Sequence, residues 1–156
     1  MTKEELQKLV QDVVGQVCEL KNKHTDQTDA PVHYCCIFSQ NGDEFDALIS
    51  AVNSMGGNVL QETPTGPLFH IQPIETVSGQ LRILKIRKPD PTRPERGDAD
   101  FAVENYPGFK EKYLREPGFK LIERETFEMI EIMDPTFNVR AYFSNPPVEE
   151  QYSLRK

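Results

Sequence analysis

Lys88-Pro89-Asp90-Pro91-Thr92-Arg93-Pro94-Glu95-Arg96-Gly97 decides the fold, because the same order of elements lies on either side of it. Its three prolines lack amide donors and its charges are mixed, so neither a helix interior nor a central strand fits, and residues 88–98 read as a connector. Upstream, Val32, Tyr34, Cys36 and Phe38 alternate with His33, Cys35 and Ile37, an interior strand with two largely apolar faces. Asn41 or Asp43 then caps a helix with Phe45, Leu48, Ile49, Val52 and Met55 in one stripe, stopped by Gly56-Gly57. Strands follow at 58–62, 68–73 and 81–87, separated by Thr63-Pro64-Thr65-Gly66 and Val77-Ser78-Gly79. Downstream the order returns over 99–143: a strand at 99–104, a short helix from near Pro107 with Phe109, Tyr113 and Leu114 inward, and strands at 119–125, 127–133 and 138–143.

The spacing therefore predicts an α+β fold of two βαβββ modules, 31–87 and 99–143, in a single domain over 1–156. A four-stranded sheet with a helix on one side leaves its other face bare. Two such sheets placed edge to edge form an open, barrel-like mixed sheet whose concave side is a cleft. Ahead of the modules, Thr2 and Glu5 can form a capping box, and Leu6, Leu9, Val10, Val13, Val17 and Leu20 recur at helical spacing, giving an amphipathic helix over 2–21. The polar connector 22–30 makes this helix look appended; its apolar face packs on the domain or on a second copy, which would give a homodimer. The segment 144–156, with Pro146-Pro147 and mostly polar residues, is expected to fray.

Composition narrows the function classes. Hydrophobic residues make up 37% and charged residues 28% of the 156, with no tryptophan, as in an ordinary globular protein. Apolar runs stay as short as Cys35-Cys36-Ile37-Phe38, and the chain opens on Thr2-Lys3-Glu4-Glu5, so no membrane or targeting segment is expected. A formal charge of -7 disfavours nucleic acid. Cys18, Cys35 and Cys36 do not form a disulfide framework; reduced thiols in a cytoplasmic setting fit, with the Cys35-Cys36 pair filling core.

Paired βαβββ units with Asp134-Pro135-Thr136-Phe137-Asn138 before the last strand resemble the vicinal oxygen chelate superfamily, which includes glyoxalases, extradiol dioxygenases and bleomycin-resistance proteins. Its usual signature there is Asp-Pro-Asp-Gly-Asn, matched at three of five positions. Within it the chain looks like the YecM-like proteins, with their N-terminal helical extension, histidine on the first barrel strand and Pro/charged linker; the likeness runs from Thr2 to Pro147. The resemblance implies metal ligands on the first and last strands of each module: two histidines, or a histidine and a glutamine, plus two glutamates.

His33 matches the first of these. Both glutamate positions are lost: Val139, Ala141 and Phe143 alternate with Arg140 and Tyr142 on the last strand, and Leu81, Ile83, Lys85 and Arg87 alternate with Arg82, Leu84 and Ile86 on its counterpart. A divalent metal is thus not favoured; it would have to sit on His33 with Asp98, Asp100 and Glu131. Glu131 otherwise belongs to an acidic hairpin with Glu123, Glu125 and Glu128 whose plain reading is a solvated sheet face. Cations stand where the acids should be, and an arginine there can fork onto a carboxylate or phosphate.

Three functions follow. The first is binding of a small, anionic ligand in the cleft, anchored by Arg140 with Tyr142, His33 and Lys85. The second is a metal-dependent lyase, isomerase or hydrolase using His33 and the nearby acids. The third is a subunit-interaction protein working through the N-terminal helix.

Overall fold

Thr2 opens the first helix with the capping box read from the sequence: its hydroxyl accepts from the Glu5 N–H and the Glu5 carboxylate accepts from the Thr2 N–H. The computed structural model describes residues 1–154. In chain order its elements are α1 (Lys3–His24), β1 (Val32–Phe38), α2 (Gly42–Ser54), β2 (Asn58–Gln61), β3 (Leu68–Thr76), β4 (Gly79–Arg87), β5 (Gly97–Phe101), α3 (Tyr106–Tyr113), β6 (Phe119–Glu123), β7 (Glu128–Ile132), β8 (Val139–Asn145) and α4 (Val148–Gln151). This is the α+β order expected, two βαβββ runs behind a helix.

All eight strands form one mixed sheet, in the order β2-β3-β4-β1-β5-β8-β7-β6. Outward from the centre each half runs first strand, last strand, third, second of its own module. β1 and β5 join the halves antiparallel, and each pairs in parallel with its module's last strand. The modules pair within one chain.

Strand alternation sorts the side chains. Cys35, Ile37, Leu84, Ile86, Ala99, Phe101, Ala141, Phe143, Ile130 and Ile132 face the helices and form the main core with Leu6, Val10, Val13, Val17 and Leu20 of α1. Phe143 is its aromatic hub, with the Phe109 ring of α3 at 4.5 Å and Phe101 at 6.0 Å. The helix read as appended therefore lies inside the fold, against β1, β3, β5, β8 and α2, and the stripe that the subunit-interaction reading reserved for a second copy is covered by the chain's own sheet.

Two boundaries move, each for a local reason. β5 starts at Gly97, inside the stretch read as connector, because a side chain there would collide with the Cys36 carbonyl oxygen; only glycine lets the strand come this close. β5 stops at Phe101 rather than 104, because Asn105 caps α3 through its side chain on the Gly108 N–H.

The expected fraying after 144 is overturned within the described residues. After a cis Asn145-Pro146 bond, α4 folds back. Val148, Tyr152 and Leu154 pack on Leu68, Ile83, Tyr34 and Leu60, and Glu149 is 1% exposed. Apolar residues spaced among polar ones gave this segment a buried side that composition alone hid. The last two residues of that tail lie outside the described residues.

Candidate functional site

The face of the sheet away from α1, α2 and α3 encloses a cleft of about 650 Å³. Gln61 of β2 and Lys120 and Ile122 of β6 both line it, so the two edge strands curl toward one another around a shared hollow. Val148, Gln151 and Tyr152 wall it at the α4 side.

Strand register sets the floor in rows. Cys36 pairs with Lys85 on one side and Asp98 on the other, and Asp98 pairs with Arg140, so one row reads Lys85, Cys36, Asp98, Arg140. The next runs Tyr34, Asp100, Tyr142, Glu131, Lys120. Six cations line the cleft, Lys85, Arg87, Arg93, Lys120, Arg124 and Arg140, against three carboxylic acids, Asp98, Asp100 and Glu131. In a chain of net charge -7 this is a concentrated positive hollow.

The cations differ in how far they are already engaged. Arg140 carries Nε at 3.2 Å from Glu95 and a terminal nitrogen at 3.2 Å from Glu131. Arg93 meets the same Glu95 oxygen at 2.6 Å, and Arg87 pairs with Asp90 at 3.2 Å while lying over the Phe38 ring. Lys85 alone of these four has no carboxylate within salt-bridge distance among the described residues; its Nζ donates to Thr65 Oγ1 at 2.6 Å. Burial holds its ammonium below the ordinary lysine pKa. Thr65 is held by its turn: the Thr63 hydroxyl accepts from the Thr65 N–H, and the Thr65 carbonyl accepts from Lys88 N–H at 2.8 Å. Gly66 follows at φ 142, where a Cβ would strike the Ile86 carbonyl oxygen.

The acids divide as well. Glu131 accepts from the Tyr142 hydroxyl at 2.7 Å besides pairing with Arg140. Asp100 accepts from the Ser144 N–H and hydroxyl, yet burial still pushes it up to about 7. Asp98, 8% exposed, is pushed up to about 7 by burial, with Lys85 opposing. Its Oδ1 is sealed from solvent and accepts no hydrogen bond among the described residues. Cys36 between Asp98 and Lys85 is 2% exposed, and burial raises its thiol well above the usual range, so it is a neutral floor, not a nucleophile.

The structure thus brings Arg140, Tyr142, Lys85, Asp98, Asp100 and Glu131 to one cleft. It does not bring His33, which the sequence offers both as ligand-binding residue and as metal ligand, to the lining of that cleft. A bulge between Val32 and Tyr34 sets it apart from the cleft row, and α4 covers it: the Glu149 N–H donates to Nδ1 at 3.3 Å, and the Glu149 carboxylate lies 3.8 Å from Nε2. Among the described residues no group of three His, Cys, Asp or Glu side chains is placed to hold a metal ion. The ligand set that the resemblance implies does not fit here, since Lys85 and Arg140 occupy the floor beside Asp98. Arg93, Glu95 and Thr65 were missed because they sit in segments read as connector and turn; the charges of Arg93 and Glu95 were the only signal. Asp134, the matched first position of the signature, is a staple: it accepts from Lys23 Nζ at 3.0 Å, lies 2.8 Å from His24 Nε2, and accepts from the Thr136 N–H, tying the end of α1 to the turn before β8. No helix among the described residues is long and apolar enough to cross a membrane.

No protein family model matches the chain, and no curated protein matches it. Among solved structures, a glyoxalase/bleomycin resistance protein/dioxygenase superfamily member from Vibrio splendidus 12B01 is similar at 10% identity and TM-score 0.47, over 74% of this chain and 97% of that one. Methylmalonyl-CoA epimerase from Mycobacterium tuberculosis is similar at 13% identity and TM-score 0.45, over 79% and 93%. An extradiol ring-cleaving dioxygenase from B. fuscum follows at 16% and 0.42, over 74% of this chain and 32% of that one. At these values the likenesses bear on no residue of the site.

Proposed function

We propose that this chain binds a small organic anion in the cleft, on the paired βαβββ scaffold of the vicinal oxygen chelate superfamily but without that superfamily's usual metal ligands. One observation carries the reading: Lys85 stands on a half-buried floor, fixed by Thr65 and without a carboxylate partner among the described residues. A partly desolvated ammonium gains most from an anion that replaces its lost hydration. Arg140, the sequence-based anchor, is the supporting cation here, since two carboxylates already neutralise it. Tyr142 orients Glu131 rather than the ligand.

Small carboxylates and inorganic phosphate should raise the melting temperature of the full chain in proportion to the logarithm of their concentration above Kd. Lys85→Met should remove that rise while leaving the ligand-free melting temperature near the wild-type value. An undiminished rise in Lys85→Met would sink the reading.

A further inference from the structure

Asp98 is the cleft group least accounted for by the anion reading. A carboxylate a few ångströms from a bound anion repels it, yet the chain keeps one beside Lys85. Nor does Asp98 serve the fold: it accepts no hydrogen bond among the described residues, its Oδ1 is sealed, and a buried unpaired acid is a cost to folding. Since Oδ1 is closed off and Asp98 lines the cleft, the exposure it retains is on the cleft side.

Geometry supplies what would satisfy it. Lys85 and Asp98 flank Cys36 in one row, two strands apart, so their backbones stand about 10 Å from each other. Side chains stand roughly perpendicular to a sheet, so Lys85 and Asp98 rise side by side into the hollow, and a small molecule with two adjacent polar groups can bridge them through one hydrogen bond at each end. The buried Cys36 thiol lies between the two roots and offers no charge to either.

We propose that the Lys85, Cys36, Asp98 row is a two-point subsite for a small hydroxy or amino acid anion, with the charged group on Lys85 and Thr65 and the adjacent hydroxyl or ammonium donating to Asp98. It rests on the anion-binding reading and adds the class of anion. The groups facing Asp98 are Tyr34 and Cys36 from β1, Lys85 and Arg87 from β4, Asp100 from its own strand, Arg93 from the connector, and Arg140 and Tyr142 from β8. The cations among them favour the ionised form that accepts a donor, and Asp100 opposes it.

Calorimetric titration of the full chain with matched acids tests this: lactate against propionate, and malate against succinate, at pH 8.5 and pH 5.5. In at least one pair the hydroxy acid should bind about tenfold or more tightly at pH 8.5, because a site built around a donor rejects the analogue that lacks it. The preference should shrink at pH 5.5, where Asp98 is protonated. Asp98→Ala should bring the pair to within about twofold without weakening the plain acid; Asp98→Asn, which keeps the shape, should retain part of the preference and shows that folding is not the cause. Lys85→Met should weaken both members alike. Equal binding within each pair, a preference that survives Asp98→Ala, or one that grows toward pH 5.5 overturns the subsite and leaves the anion reading standing. No binding of any of the four acids overturns the subsite, and overturns the anion reading as well when inorganic phosphate also leaves the melting temperature unchanged.

Discussion

Asp98 costs the folded state stability in a way that pH exposes. Its pKa rises from the ordinary aspartate range in the unfolded chain to about 7 in the fold, so between those values the native state holds the extra proton. Stability contributed by this group falls as pH rises across that window and stays low above it. Asp98→Asn should therefore raise the melting temperature clearly at pH 8 and much less at pH 4.5. A gap that does not widen with pH would mean that the acid is solvated. Asp134 runs the other way. Hydrogen bonds from Thr136, then His24 and Lys23, hold its pKa below the usual range, so its contribution is full above the unfolded pKa and is lost as pH falls. Asp134→Ala should lower the melting temperature at pH 7 by several degrees, and by progressively less as the pH falls below the ordinary aspartate range.

Among elements, the turn of residues 63–66 and helix α4 decide the site, and they differ in how legible they were. The turn's composition identified it, but its role did not follow, since Thr65 reaches Lys85 only because β3 and β4 pair with Leu68 opposite Lys85. Gly66→Ala should push the turn off the Ile86 carbonyl, with a clear loss of stability and a several-fold weakening of the proposed anion binding, measured by titration and melting on the same sample. Regular elements were readable wherever one period ruled: the α1 stripe, the α2 stripe closed by Gly56, and the alternation along β4 and β8 that holds Lys85 and Arg140; Asp98 was not, because β5 begins inside the stretch read as connector. His33 was not, because a bulge defeats alternation and its partner Glu149 lies 116 positions away. The tail was misread because Pro146-Pro147 suggests a break, whereas the chain turns there and returns to the sheet.

At the scale of the molecule, α1 unites the halves together with the β1–β5 pairing. It touches strands of both modules, β1 and β3 of one and β5 and β8 of the other, so neither can unfold without uncovering the other's core. Unfolding should then be a single transition with equal calorimetric and van't Hoff enthalpies, and Val13→Asp, which buries a charge between α1 and the sheet, should lower that one transition rather than split it. Two resolved transitions in either protein would show the modules to be independent.

The two faces of the sheet do separate work. Most residues that fold the chain point toward α1, α2 and α3, while Lys85, Asp98 and Arg140 point the opposite way from the same strands, beside the smaller cluster that holds α4. A library confined to the charged positions of the hollow face can therefore be screened for binders with little risk to the core on the other side.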